Sequence, residues 1–243
     1  GCIFCSAGGS GDFAESPELS ITQQIEKGKL RVQNKIKSGK YIAYFQAFTN
    51  TYAPMEVLRK KFTEAIEHPD IVMLSVATRP DCLPDDVIDL LAQLNTIKPV
   101  SVELGLQTIR QKSADYIRRG YNLACFDDAV CRLKEAGLEV VCHIILGLPG
   151  ESKSDMLQSV DYACKSGING IKLQLLHVLK NTDLEKEYRA GKFKTLTFEE
   201  YLDIIKSCVK IIPKEIVIPR LTGDGAKKDL IAPLWSADKK KVL

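Results

Sequence analysis

Apolar, strand-like runs alternate with amphipathic, helix-like segments along most of the 243-residue chain. Parallel strands that are covered on both faces have near-continuous apolar sequences. Repeated strand–helix units favour a parallel sheet with right-handed crossovers. The pattern predicts six strands, at residues 41–48, 71–77, 100–104, 140–146, 171–178 and 216–218.

Six units fall short of the eight that close a (β/α)8 barrel. The predicted fold is therefore α/β, an open, partial (β/α)6 TIM-like barrel with a parallel sheet. A doubly wound sheet is the structural alternative, and both folds gather functional residues at the carboxyl ends of the strands. No tract divides the chain, so we expect a single domain over 1–243, with a basic helix at 20–39 and a C-terminal extension at 213–243.

Charge, apolar content and cysteine distribution bear on the partners and the cellular location of the protein. No apolar run approaches the roughly 20 residues of a membrane span, so no membrane partner is expected. The net charge of +3 neither demands nor excludes a nucleic-acid partner. Six of the eight cysteines lie singly in periodic segments, which favours a reducing, cytoplasmic location. The cations of the 20–39 helix favour a solvated face, with binding of a polyanion as the alternative; they are Lys27, Lys29, Arg31, Lys35 and Lys37.

Two cysteines at the start of the chain, Cys2 and Cys5, are three residues apart with Phe4 between them. A C-x-x-C pair suits a zinc site, a redox pair or part of an iron–sulfur site. No second pair follows at zinc-finger spacing, and a glycine-rich loop follows where a redox pair would begin a helix. The pair alone leaves these readings open, together with that of labile thiols near a terminus.

Polar side chains stand at or near the predicted strand ends. Gln46 lies near the end of the first strand, and Thr49 and Asn50 follow that strand. These side chains suit either an amino-acid-like head group or simple turn capping. Glu103 interrupts an apolar strand, where a charge is costly unless it is paired or functional. Gln107 lies just beyond the end of the same strand.

Arg119 and His143 each allow both a structural and a functional interpretation. Arg119 closes a helix, where it offsets the helix dipole or reaches over the barrel mouth to a carboxylate. His143 interrupts an otherwise apolar strand, and a lone histidine is more often a satisfied core residue than a ligand. Gly147, in the turn that follows, would let the backbone approach a flat ring closely.

Taken together, these segments resemble the radical S-adenosylmethionine (SAM) superfamily. The cluster motif of that family ends in C-x-aromatic-C, which Cys2, Phe4 and Cys5 match. In the family, three cysteines bind three irons of a [4Fe–4S] cluster and the fourth iron binds SAM. The resemblance places the first cysteine upstream of Gly1, so we expect the sequence to begin inside a longer one. It also places Cys2 and Cys5 at the open mouth of the barrel.

The resemblance implies a role for each candidate residue around SAM. The segment with Gln46, Thr49 and Asn50 falls where relatives bind the amino group of SAM, although their Gly-Gly pair is absent here. Glu103 begins a segment similar to one in the Elongator catalytic subunit. The other implied contacts are with the methionine end for Gln107 and Arg119, with the ribose for His143, and with the adenine for Phe4, Ile145, Gly147 and His177.

The narrower resemblance is to a bacterial Elongator-like group, through the segments at residues 2–13, 44–52 and 220–225. It implies reductive cleavage of SAM to methionine and a 5′-deoxyadenosyl radical, with an external electron donor of flavodoxin or ferredoxin type. Kinship suggests tRNA as a partner and wobble-uridine modification as the task. Two other hypotheses remain: a non-catalytic RNA-binding barrel protein and a metal-independent barrel enzyme.

Overall fold

The computed structural model contains one six-stranded parallel sheet and a small two-stranded antiparallel sheet. The structure describes residues 1–6, 8–9, 11, 14–34, 39–223 and 227–238. The strands are β1 (Tyr41–Phe45), β2 (Ile71–Thr78), β3 (Val100–Gln107), β4 (Glu139–Leu146), β5 (Gly170–Leu175), β6 (Val178–Leu179), β7 (Val217–Arg220) and β8 (Leu230–Ala232).

Helices follow the strands as the alternating pattern predicts. They are α1 (Ile21–Val32), α2 (Met55–Glu67), α3 (Asp85–Asn95), α4 (Gln111–Tyr116), α5 (Leu123–Glu135), α6 (Lys153–Lys165), α7 (Asp183–Arg189) and α8 (Phe198–Ile211). Short 3₁₀ turns lie at Pro80–Cys82 and Leu234–Ala237. Among the described residues, no helix has the length and apolar character needed to cross a bilayer.

The main sheet has the order β1-β2-β3-β4-β5-β7, and each neighbouring pair is parallel. β1 and β7 lie at its two edges, so the sheet forms an open half-barrel. This architecture confirms the predicted open, partial (β/α)6 barrel. Strand β7 falls inside the segment that we predict as a C-terminal extension, so part of that segment completes the sheet.

The two faces of the sheet have opposite chemistry because successive side chains along a strand point to opposite faces. Leu104, Ile144 and Leu173 belong to a core that the strands share with the surrounding helices. Burial of such side chains contributes about 25 cal/mol per Å² of apolar surface and drives the assembly. The alternate positions on the same strands point into the half-barrel, and there the side chains are largely polar.

Helix starts follow the capping chemistry of the sequence. Thr197 and Glu200 form a capping box at the start of α8. Ser152 and Asp155 form a second box at the start of α6, immediately after the turn that leaves β4. Each box satisfies backbone N–H groups that a helix end would otherwise leave unpaired. The boxes therefore fix where the chain leaves the carboxyl edge of the sheet.

Some boundaries differ from the sequence prediction. β1 ends at Phe45 rather than at residue 48, because Phe48 has a φ of 60°, which extended backbone does not adopt. β5 ends at Leu175, and residues 178–179 pair instead with β8 in the antiparallel sheet, which we did not predict. The basic helix ends at Val32, and Lys35 and Lys37 lie outside the described residues. So do residues 224–225 of the 220–225 segment.

Candidate active site

A cavity of about 550 Å³ opens at the carboxyl ends of the strands. It brings together ten of the thirteen residues that the sequence indicates: Cys2, Phe4, Cys5, Gln46, Thr49, Glu103, Gln107, Arg119, His143 and Ile145. The amino-terminal thiols therefore share one wall with the polar residues of β3 and β4. This is the arrangement that the resemblance predicts for a barrel with its cysteines at the mouth.

The cysteine loop is fixed by its backbone. Ile3 donates a hydrogen bond from its amide to the carbonyl of Ile117 (3.2 Å) and accepts one from the amide of Leu184 (3.0 Å). The amide of Cys5 donates to the carbonyl of Cys2 (3.2 Å), which closes the loop into a turn. Between these bonds the two thiols face each other. The hydrogen bond from Cys5 outweighs burial and, with the charge of Arg79, lowers the pKa of Cys2 to about 7. No group of three ligand-type side chains within the described residues includes this pair.

Glu103 is the centre of a charged network on the inner face of the sheet. Lys172 donates from Nζ to both carboxylate oxygens, at 2.6 Å to Oε1 and 2.5 Å to Oε2. Ser75 donates to Oε1 (2.7 Å), and Tyr44 donates to Oε2 (2.9 Å). His143 Nε2 lies 2.6 Å from Oε2. Side chains from β1, β2, β3, β4 and β5 thus meet at one carboxylate.

The protonation states in this network follow from burial and from the neighbouring charges. Burial acts to raise the pKa of Glu103, but the hydrogen bond from His143 and the charges of His143 and Lys172 lower it well below its usual range. Burial is also the largest cause that lowers the pKa of His143 and of Lys172, and Glu103 opposes it in both cases. We assign Glu103 and Lys172 as a buried ion pair and His143 as neutral at pH 7.

Four members of the network are absent from the sequence prediction. Lys172 interrupts the apolar run of β5 as Glu103 interrupts β3, so the same signal could have identified it. Gln174 lies two residues further along, on the same face, and its Nε2 is 3.0 Å from His143 Nδ1. Tyr44 and Ser75 give no sequence signal, because both residue types are ordinary in strands.

Gln107 combines an unusual backbone with an unsatisfied side chain. It has a φ of 66°, and its amide oxygen Oε1 is buried without a hydrogen-bond partner among the described residues. A Cβ at Gly105 would lie 2.7 Å from Nε2 of Gln107, so glycine at 105 is what lets the side chain lie along the strand. Buried polar atoms nearly always find a partner, so Oε1 of Gln107 is available as a hydrogen-bond acceptor in the cavity wall.

Arg119 is buried and is held by backbone carbonyls. Its Nη1 donates to the carbonyls of Leu106 (2.9 Å) and Thr108 (2.7 Å), and its Nε donates to that of Tyr121 (3.0 Å). The guanidinium also lies 5.0 Å from the centroid of the Tyr121 ring. Burial lowers the pKa of Arg119. The side chain thus braces the end of β3 while also lining the cavity.

Three predicted cofactor residues do not line the cavity, and the structure gives no support to a cofactor contact by any of them. The Asn50 amide donates to the carbonyls of Phe45 (2.9 Å) and Ala77 (2.8 Å), tying β1 to β2. Gly147 has a φ of 90° in the turn after β4, beside Leu196. His177 Nε2 lies 3.1 Å from Ser236 Oγ in the C-terminal part of the chain.

The basic helix α1 is largely neutralised by local ion pairs. Lys29 lies 2.8 Å from a carboxylate oxygen of Glu26 and 2.5 Å from one of Asp70, and Arg31 lies 3.0 Å from Glu15. Glu26, His68 and Asp70 also bring their ligand atoms within 4.8 Å of one another. The ammonium of Lys29 already occupies both carboxylates of that group, so a metal there would compete with a bound cation. These contacts support the interpretation of the basic side of α1 as a solvated helix face.

The fold and the site together define a class of protein. Residues 1–163 match the model of the Radical SAM superfamily, and residues 168–243 match that of the Radical SAM C-terminal domain. The chain therefore belongs to the radical SAM superfamily, and it is a radical SAM enzyme.

Individual relatives place the chain near the Elongator-like members of this family, as the sequence motifs predict. YtqA of Bacillus subtilis (strain 168) is 46% identical over 243 residues, which cover 100% of this chain and 76% of YtqA. The tRNA uridine(34) acetyltransferase of Methanocaldococcus jannaschii is 29% identical over 168 residues, 68% of this chain and 30% of that protein. Elp3 of Methanocaldococcus infernus, solved with an N-terminal deletion, has the same fold, with a TM-score of 0.73 at 20% identity, and the match covers 92% of this chain and 60% of that one.

Membership of the family implies a [4Fe–4S] cluster and SAM, and the residues present fit both. Thiolates are the ligands that iron–sulfur clusters take, and two thiols face each other in the cavity wall. The unpaired Oε1 of Gln107 offers an acceptor to the amino group of an amino-acid head. The apolar side chains of Phe4 and Ile145 line the same cavity and suit a flat ring.

Proposed function

We propose that this protein cleaves SAM reductively at a [4Fe–4S] cluster and uses the resulting radical to modify a uridine of tRNA. The observation that carries the proposal is the shared cavity, whose lining includes the thiols of Cys2 and Cys5 together with Gln107 and His143. When bound, the cluster and SAM supply a 5′-deoxyadenosyl radical that abstracts a hydrogen atom. The protein itself contributes binding, orientation and the exclusion of water.

Each part of the cavity wall has its own task in this proposal. Cys2 and Cys5 hold two irons. Gln107 accepts a hydrogen bond from the methionine end of SAM, and Arg119 lies close to the same end. His143 donates to or accepts from a ribose hydroxyl, and its orientation is fixed because Gln174 and Glu103 engage its two ring nitrogens. Both nitrogens are thus engaged before SAM arrives, so the contact depends on exchange of one of these partners.

The tRNA substrate is supported by similarity to a tRNA uridine(34) acetyltransferase. That likeness covers 68% of this chain. We infer that the two proteins share the position at which RNA meets the barrel, the wobble uridine being the modified nucleotide. An external donor of flavodoxin or ferredoxin type and a cytoplasmic location also stay predictions. A non-catalytic RNA-binding barrel is less well supported, because α1 is largely neutralised by its ion pairs.

The proposal is tested by product formation. The full-length protein is reconstituted anaerobically with iron and sulfide and is given SAM and dithionite. We expect 5′-deoxyadenosine and methionine in equal amounts from the wild type, and neither from Cys5→Ala. Cys131→Ala is the matched control, because Cys131 is an exposed thiol on the outer helix α5. Product formed by Cys5→Ala at the wild-type rate would remove Cys5 from the cluster.

A further inference from the structure

Arg220 occupies an inner-face position at the open edge of the barrel. It ends β7, the edge strand, and its Cα pairs with that of Lys172 on β5. Lys172 points inward to Glu103, so its register partner shares that face. Ile218, two residues before Arg220, packs against the outer core. A bulge between these positions leaves Arg220 half-buried beside the charged network.

The charge of Arg220 acts on the network, as its inward position implies. Burial raises the pKa of Tyr44 most strongly, and Arg220 opposes that rise. Burial is also the main cause that lowers the pKa of His143 and Lys172, and Arg220 lowers both further. A guanidinium on the outer face would be separated from these three groups by the sheet and its core.

Arg220 differs from the other cations of the network and of the cavity wall, because its guanidinium has no hydrogen-bond or ion-pair partner among the described residues. Lys172 is paired with Glu103, Arg79 with Asp81 (2.6 Å) and Arg118 with Asp183 (2.7 Å). Arg119 is held by backbone carbonyls. Within the described chain, no hydrogen bond or ion pair engages the guanidinium of Arg220. Because His143 is neutral and Glu103 balances Lys172, no described residue of this network compensates the positive charge of Arg220.

We propose that Arg220 is the anchor for a phosphate group of the RNA substrate. This inference rests on the proposed function and names a residue beside the cavity, on the edge strand, that meets the nucleic-acid backbone. A guanidinium binds phosphate through two parallel hydrogen bonds, and a half-buried, unpartnered arginine is preorganised for that geometry. Its place at the open edge lets the backbone stay outside while an unstacked base enters the cavity, as enzymes that act on bases require.

The test compares binding of unmodified tRNA to reconstituted full-length variants over a range of salt concentrations. We expect Arg220→Gln to weaken tRNA binding about tenfold or more at low salt, the loss of one charge-assisted contact. The slope of log K against log salt should fall by about 0.7 to 0.9, the value for one phosphate. Arg220→Lys keeps the charge and should therefore keep the slope while binding with intermediate affinity.

Arg59→Gln is the matched control, because Arg59 lies on the outer helix α2 with its guanidinium near Gln93 (3.2 Å). It should bind tRNA with the wild-type affinity and slope. Wild-type affinity and slope in Arg220→Gln, or no binding of tRNA by the wild type, would overturn the inference. Formation of 5′-deoxyadenosine by the wild type is measured separately, so a failure of the proposed SAM chemistry is distinguished from a failure of the anchor.

Discussion

At the scale of single residues, the inner face of the sheet depends on one buried ion pair. Glu103 and Lys172 are both nearly inaccessible to solvent, with 5% and 7% exposure. Removing such charges from water is costly, and the pair persists because its hydrogen bonds are complete. Tyr44, Ser75 and His143 occupy the remaining acceptor positions of the carboxylate. Loss of one charged partner therefore leaves the other buried and uncompensated.

Lys172→Met should lower the free energy of unfolding by about 3 to 5 kcal/mol at pH 7. The double variant Glu103→Gln with Lys172→Met should recover much of that loss, because neither charge then remains. Urea unfolding of all four members of the cycle measures the coupling. A loss in the double variant equal to the sum of the two single losses would show that the charges are not coupled.

The same ion pair makes the stability of the protein depend on pH. The pKa of Glu103 is lowered in the folded protein from the ordinary value of 4.5, so the unfolded chain binds the proton more readily. The stabilisation by Glu103 is therefore fully present above pH 4.5 and is lost as the pH falls through the lower, folded value. The difference in the free energy of unfolding between the wild type and Lys172→Met should become smaller over the same pH interval.

At the scale of elements, the turn between β4 and α6 is limited by close packing. Gly147 has a φ of 90°, and a Cβ there would lie 2.9 Å from Cδ1 of Leu196. Gly150, in the same turn, has a φ of 82° and nothing within 4 Å. Both glycines have a positive φ, which would strain a residue with a Cβ, but only Gly147 has another side chain close by. The two positions therefore make a matched pair.

Gly150→Ala should destabilise the protein by about 1 kcal/mol, the cost of a left-handed backbone for a residue with a Cβ. Gly147→Ala should cost more, about 2 to 3 kcal/mol, because overpacking against Leu196 adds to the strain. In a Leu196→Ala background the two substitutions should cost the same amount. Thermal unfolding measures each step, and a difference that persists in that background would exclude Leu196 as its cause.

The elements also show what can be predicted from the sequence and what cannot. Apolar periodicity predicts the six parallel strands, and the capping box at Thr197 predicts the start of α8, because both signals are local. The antiparallel β6–β8 pair was missed because its strands have two and three residues and pair across about 50 positions. Among the site residues, Glu103 could be identified from the sequence, because it is a charge in an apolar strand. Ser75 could not, because only its hydrogen bond to Glu103 in the folded structure reveals its role.

At the scale of the whole molecule, the cysteine loop is held by distant parts of the chain. Ile3 is buried in a small apolar cluster, here called the mouth cluster, which comprises Ile3, Ile117, Ile145, Leu148, Leu176, Val178, Leu184 and Ala232. Its members come from the amino terminus, the α4 region, β4 and the C-terminal third of the chain. The positions of the two thiols therefore depend on a fully folded chain, and local sequence alone does not determine them.

Leu184→Ala tests this dependence, because Leu184 is fully buried in the mouth cluster and its amide donates to the carbonyl of Ile3. We expect a loss of about 2 to 5 kcal/mol in stability, as for other buried leucines. The structural effect should be concentrated at the cysteine loop. Hydrogen exchange at the amides of Ile3 and Cys5 should be faster, and less iron should be bound after reconstitution of the full-length protein. Leu202→Ala, at an exposed leucine on α8, should change neither property. Wild-type exchange at Ile3 in Leu184→Ala would mean that the cysteine loop is fixed independently of the mouth cluster.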